Sequence, residues 1–232
     1  MATNPMHQFT VYRIGPEIKI AGIDLSFTNA SLFMFLSAVT ICGVLFLGTK
    51  EKKLIPDKLQ LISEIIYNFI AKMISDTAGT KAKPYFPFIF SLFMFVLFCN
   101  MLGMLPYSFT VTSHIIVTLL MALFIFIAVT IIGFMKHGFG YLKLFVPSGV
   151  PMILLPLITI IEIISYLSRP VSLSVRLFAN MMAGHTMLKV FGGFVISLGM
   201  LGGWLPLSFS VALTGLEILV AFLQAYVFAI LT

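Results

Sequence analysis

Apolar residues run through this chain in blocks of membrane length, separated by short polar or proline-containing breaks. After a mixed tail over 1–31, in which Ile18, Ile20 and Ile23 alternate loosely as in a short strand, the run Leu32 to Gly48 is about one bilayer thickness long. It ends at Thr49 and a lysine cluster, which predicts a first transmembrane helix over 32–48. Residues 57–78 follow another pattern. Ile62, Ile65, Ile66, Phe69, Ile70 and Met73 recur at helical spacing, while Gln60, Glu64, Asn68 and Lys72 take the other face. This predicts an amphipathic helix, with Pro56 near its first turn, that either lies in the membrane interface or packs against the spans.

Two further spans are expected over 86–105 and 115–135, joined by an uncharged turn around Pro106. The next apolar stretch, Phe145 to Phe191, is interrupted by Pro147, Pro151, Pro156 and Pro170 and holds Glu162, Arg169, Arg176 and Lys189. At about 1.5 Å per residue one helix of this length would reach roughly 70 Å, more than twice a hydrocarbon core of about 30 Å. The stretch is therefore either two spans or one steeply tilted helix. Breakers at Gly192–Gly193 and over 199–206 precede a last apolar helix over 207–232. The expected fold class is an all-α integral membrane protein, with a tail over 1–31 and a membrane domain over 32–232. The spans show no internal repeat, which argues against an inverted-repeat transporter.

Composition agrees, since 60% of the 232 residues are hydrophobic and 9% charged, against roughly 25% charged in a soluble domain. The net charge of +6 raises the question of a nucleic-acid surface. The basic residues Lys50, Lys52, Lys53, Lys58, Lys72, Lys81 and Lys83 sit between two spans without interleaved aromatics, so they read as an orientation signal and no nucleic acid is expected. They place that side toward the cytoplasm or matrix and the N-terminus outside. The Lys136–Lys143 loop is basic again, so positive charge alternates between sides. Cys42 and Cys99 lie in apolar runs and read as packed thiols. The first thirty residues lack the features of a removable signal peptide.

Ionisable side chains inside spans are the informative ones, because a charge at the bilayer centre costs at least about 2.5 to 3.5 kcal/mol. Glu162, Arg169 and Arg176 recur every seven residues and Asn180 follows one turn later, so one helical stripe carries all four if Pro170 preserves the register. Arg169 is either an interfacial charge or a partner for Glu162. Arg176, between Val175 and Leu177, has no acid within one turn on its own helix, so its counter-charge has to come from another helix or another subunit. His185 falls on the opposite face and is either a packing residue or a proton relay. Glu217 and Gln224 share a face of the last helix, with Thr214 beside them; Glu217, the only acid there, is expected to be protonated, cross-paired or water-exposed, and the last two place it near an aqueous path. Asn100, Ser113, His114 and Thr118 read as structural. Phosphate loops, Cys/His metal spacings and nucleophile elbows do not occur, so neither a metal nor a cofactor is expected. The ionisable sites point to proton movement.

The segments SLSVRLFANMMAGH (Ser172 to His185), ALTGLEILVAFLQAYVF (Ala212 to Phe228) and NMLGMLPYSFTVTSH (Asn100 to His114) closely resemble subunit a of F-type ATP synthases, in the alphaproteobacterial and mitochondrial branch. The resemblance runs from about Pro56 onward. It implies a stator subunit, not an enzyme on its own, that lies in a bacterial or mitochondrial inner membrane beside a ring of c subunits, together with b-type peripheral stalk subunits and lipid. Such a subunit supplies two offset aqueous half-channels through which protons reach and leave the ring. By the same resemblance Arg176 matches the essential arginine facing the ring carboxylate. Glu217, His185, Asn180 and Gln224 match proton-path positions on the outer side, and Glu162 an acid near the inner path. The segments over 148–191 and 207–232 would form a tilted, nearly horizontal hairpin. Family members usually continue into a short polar C-terminal tail, whereas this chain stops at Thr232 in apolar sequence. The alternative, a secondary ion transporter, calls for paired repeats and a substrate site with its own coupling carboxylate. A purely structural anchor leaves Arg176, Glu217 and Gln224 without purpose.

Overall fold

The computed structural model describes residues 9–15, 19–20, 23–24, 26–50, 56–105, 108–146 and 154–231. Among them, helices α1 (Asn29–Lys50), α2 (Lys58–Ala78), α3 (Phe86–Gly103), α4 (Ile115–His137), α5 (Leu155–Gly202) and α6 (Trp204–Ile230) account for nearly all regular structure. The strand expected near Ile20 and Ile23 is a two-residue antiparallel ladder, Lys19–Ile20 with Ile23–Asp24; Ile18 lies outside the described residues. Five segments are long and apolar enough to cross a membrane: Asn29–Lys50, Ala82–Gly103, Ile115–Leu142, Leu155–Gly199 and Trp204–Ile230. Their outward faces carry large apolar side chains such as Phe46, Phe124 and Ile196, which lipid can cover and water cannot. The protein is a multi-pass, all-α membrane protein.

The expected helices recur with boundaries that local chemistry explains. α2 starts after an extended Asp57 and stops at Gly79, whose φ of 72° ends the helix. It buries Ile70, Met73 and Ile74 against the spans and Ser63 against Gly48 of α1, while Ile62 and Ile65 remain exposed, so it packs on the bundle along its length and keeps an apolar surface on its outer side. The long fifth stretch is one helix rather than two. Pro156 sits in its first turn and Pro170 lies inside it without ending it. The expected break at Gly192–Gly193 is absent. Both are helical, and the chain turns only at Gly199, where the second expected break begins and whose φ of 63° is left-handed. α6 then starts at Trp204, three residues before the expected 207, because Pro206 is tolerated in a first turn. Cys99 is buried as expected, but Cys42 is exposed, since it falls on the outward face of α1.

The core lies where α2, α3, α5 and α6 meet, around Ile70, Phe93, Leu177, Ala225 and Phe228, with Ala122 and Ile125 of α4 joined to it. Phe93 meets Phe222 edge to face at 5.7 Å, and Phe69 meets the same ring at 5.5 Å. On α5 the buried positions Pro170, Leu173, Ser174, Leu177 and Met181 form one helical stripe. That stripe fixes which side chains of α5 face inward, and α5 packs mainly on α6 and α4.

Candidate functional site: a polar seam between the last two helices

The inward face of α6 reads Glu217, Ala221, Gln224, Ala225, Phe228, so two polar side chains are carried into the bundle by helical spacing alone. Glu217 is 6% exposed and Gln224 7%. The carboxylate of Glu217 fits against α5 because residue 184 is glycine. A Cβ there would stand 2.7 Å from Glu217 Oε1.

The adjacent residue, His185, turns its Nε2 to 3.5 Å from Glu217 Oε1 and 3.0 Å from Thr110 Oγ1. Thr110 comes from the turn before α4, and it approaches α3 closely because Gly103 has no side chain, a Cβ there falling 2.7 Å from Thr110 Cγ2. Hydrogen-bond accounting fixes the ring's state at this atom. Thr110 Oγ1 is also 3.0 Å from the Gly103 carbonyl, which can only accept, so the single hydroxyl hydrogen goes there. Thr110 must then accept from His185, and Nε2 carries a hydrogen. The contact to Glu217, longer than a good hydrogen bond, is electrostatic.

Glu217 also opens onto a cavity of about 210 Å³ between α5 and α6, bordered by Asn180, Met181, Gly184 and Leu213. Beyond Glu217 the polar strip continues inward. Asn100 Nδ2 of α3 donates to the Ala221 carbonyl at 3.3 Å. Asn100 Oδ1, Gln224 Oε1 and both Glu217 oxygens have no hydrogen-bond partner among the described residues. Buried polar atoms in this condition cost about 1 to 3 kcal/mol each unless water reaches them, so a line of four is suited to a hydrated path. In the turn before α4, His114 stacks on Phe109 with ring centroids 5.0 Å apart. Burial holds its pKa below the ordinary 6.5, so it is neutral at pH 7.

Arg176 lies elsewhere. It is exposed on α5, beside the buried Leu177, and among the described residues it has no hydrogen bond or ion pair. Glu162, half-buried nearer the start of α5, likewise has no ion pair among the described residues, and Arg169 does not bridge to it. The Arg169 guanidinium instead sits 5.7 Å from the Tyr166 ring centroid. Of the six predicted site residues the structure therefore gathers Glu217, His185 and Asn180, with Gln224 further along the same strip. Arg176 and Glu162 stay on α5 outside it. Thr110, Gly184 and Gly103 were not foreseen: a loop threonine reads as a cap, and a glycine in a helix carries no chemistry of its own. Among the described residues no group of His, Cys, Asp and Glu could hold a metal ion.

The family model of the ATP synthase A chain matches residues 31–232, which spans the seam, Arg176 and Glu162 together. The chain belongs to this family. ATP synthase subunit a of Pelagibacter ubique is 79% identical over 232 residues, covering all of this chain and 95% of that protein. The subunit a proteins of Rhizobium rhizogenes and Rhizobium meliloti are 62% and 59% identical, each again covering the whole chain and 95% of the relative. As an ATP synthase A chain it is a membrane subunit of a larger complex and not an enzyme by itself.

Proposed function

We propose that this chain is the proton-translocating stator subunit of an F-type ATP synthase, supplying two offset half-channels beside a ring of c subunits and coupling proton flow to ring rotation. The observation that carries the reading is Arg176, a permanent cation exposed on an apolar helix with no counter-charge in its own chain among the described residues. A charge that costs several kcal/mol in lipid is retained only where a partner meets it, and a ring carboxylate passing along α5 is such a partner.

The positions along α5 support the division of labour. His185 lies nine residues beyond Arg176, about 13 Å along the axis, and Glu162 fourteen residues before it, about 21 Å. His185 is tied to the uncharged turn before α4, the outer side by the positive-inside rule. The Glu162 end lies toward the lysine-bearing turn that follows α4. Protons enter through the Glu217–His185–Asn180 seam, pass to a ring carboxylate, ride the ring, and leave near Glu162. Arg176 separates the two paths, because guanidinium does not give up its proton and so cannot relay one. It also favours the ionised form of the carboxylate that faces it, which promotes release on the exit side. The driving force is about 2.3 kcal/mol per proton for each 100 mV. The helix over Leu155–Gly199, at about 1.5 Å per residue, is more than twice a hydrocarbon thickness of about 30 Å, so it lies steeply tilted with α6 returning beside it. The c ring and b-type stalk subunits are the expected partners, with the N-terminus outside. A secondary transporter is disfavoured, since Glu217 faces a small cavity bordered chiefly by apolar side chains and not a substrate-sized polar site.

The test is proximity. A cysteine at Ser172, one turn before Arg176 and exposed, is expected to form a disulfide with a cysteine placed beside the ring carboxylate in the assembled complex. No cross-link at Ser172 or at the neighbouring exposed Ala179 would contradict the reading. A second expectation concerns the outer path. Asn180→Cys should react with water-soluble thiol reagents in assembled complexes, while Cys99, buried in α3, does not; equal inertness of both would count against a wet seam. Gly184→Ala should lower proton-driven ATP synthesis severalfold without loss of assembly, because the added methyl must push the Glu217 carboxylate away from His185. Wild-type synthesis rates in Gly184→Ala would show that the close approach is dispensable.

A further inference from the structure

A second cluster of hydroxyls lies at the other end of α5, where Tyr166 meets α4 and the short helical turn Gly138–Phe145. Thr130 Oγ1 is 2.7 Å from the Phe126 carbonyl and 2.6 Å from the Tyr166 hydroxyl, which is 2.8 Å from the Tyr141 hydroxyl. The surrounding rings are close-packed. Phe126 and Phe145 lie 4.7 and 5.3 Å from Tyr166, and Phe134 lies 4.9 Å from Tyr141. Gly133 makes room for the Tyr141 ring, with which a Cβ there would collide.

Each hydroxyl has one hydrogen, and the carbonyl at the end of the chain can only accept. Thr130 donates to Phe126, so it accepts from Tyr166, which in turn accepts from Tyr141. All three directions are fixed. A proton wire has to deliver to a group that can bind and release a proton, and a peptide carbonyl does not do this. The chain is therefore a latch that ties α5 to α4 and to the turn after it.

We infer that Tyr166 is a positioning residue for Arg176, its hydroxyl latch setting the rotation of α5 about its own axis and hence the direction in which the guanidinium leaves the helix. This rests on the proposed facing of Arg176 toward the ring carboxylate. Tyr166 shares a face with Leu173 and Leu177 of the buried stripe, whereas Arg176 lies ten residues on, about 80° round the helix. Between those positions the apolar stripe selects the inward face of α5, but its contacts are non-directional and leave the finer rotation to the hydrogen-bonded ends. Among the described residues, the side-chain hydrogen bonds and ion pairs that tie α5 to other elements are those of Tyr166 at one end and His185 at the other. Arg176 lies between the two anchors. A turn of about 20° displaces points on the side-chain surface, about 5 to 6 Å from the axis, by about 2 Å, and misplacement by about 1 Å can cost a factor of about 100 in rate.

Tyr166→Phe keeps the ring and its packing and removes only the hydroxyl. Thr130→Val removes the acceptor, and Thr130→Ser retains it. Each is combined with the Ser172→Cys cross-link to the ring, and cross-link yield and proton-driven ATP synthesis are read in assembled complexes. Tyr166→Phe and Thr130→Val should each lower the yield by about threefold or more, with synthesis falling alongside, and Thr130→Ser should preserve both. Tyr141→Phe, the mildest cut in the chain, carries the same expectation should either variant fail to assemble. An unchanged yield in the cut variants overturns the latch even if synthesis falls, because the hydroxyls would then not act through the position of Arg176. A cross-link missing with Tyr166 intact refutes the ring-facing reading itself, which keeps the two failures apart.

Discussion

Arg176→Ala is expected to abolish proton-driven ATP synthesis while leaving the complex assembled. Assembly should survive because Arg176 is exposed and makes no hydrogen bond or ion pair among the described residues, whereas the neighbouring packing is carried by Leu173, Leu177 and Met181. On the proposed function, two losses combine in the variant. The ring carboxylate loses the cation that favours its ionised form, so it no longer releases its proton on the exit side. The two paths also lose the group that cannot relay protons, so membranes carrying the variant should leak protons down an imposed gradient. Arg176→Lys should fail nearly as completely, since an ammonium in an apolar setting can lose its proton and presents no planar fork to a carboxylate. Synthesis and fluorescence quenching in inverted vesicles measure both consequences. Wild-type synthesis in Arg176→Ala would remove the basis of the proposed function.

Glu217→Gln is expected to have the second largest effect, lowering synthesis by at least about tenfold, since a positioned proton-transfer group typically contributes 10²- to 10⁴-fold. The amide is nearly isosteric, so it still fits against Gly184, and the α5–α6 packing should be kept. What it cannot do is bind and release a proton between the cavity beside Asn180 and the Thr110–His185 pair. The loss should therefore appear as a lower maximal rate with normal amounts of complex in the membrane. A companion Glu217→Leu variant separates polarity from protonation: if leucine supports synthesis as well as glutamate does, the seam carries no protons.

The fold was largely legible in the pattern of apolar residues. Blocks of twenty apolar residues have few alternatives in a bilayer, because backbone polar groups must be satisfied within the segment, so α1, α3 and α4 appear within a few residues of their expected limits. Helix breaks were less legible. Gly192–Gly193 and Gly199 look alike on paper, and only Gly199 adopts a left-handed φ; a glycine permits a turn without requiring one. The candidate site was legible in its charged members, since an ionisable residue in an apolar run stands out by its cost. Thr110, Gly184 and Tyr166 did not stand out, because a hydroxyl or a missing side chain gains its meaning from what lies opposite.

That the chain is a multi-pass helical membrane protein, and that Arg176, Glu162, His185 and Glu217 are the residues whose presence in apolar helices has to be explained, can be read from the residues alone. Those conclusions follow from transfer energies, which depend on residue type alone. Which of them meet depends on how the helices pack. Packing closes His185 onto Thr110 and Glu217 across three elements, leaves Arg176 facing outward, and binds the other end of α5 through Tyr166. Such contacts join residues as far apart as Thr110 and His185, and helical periodicity predicts the face a side chain takes but not the neighbour that face will find.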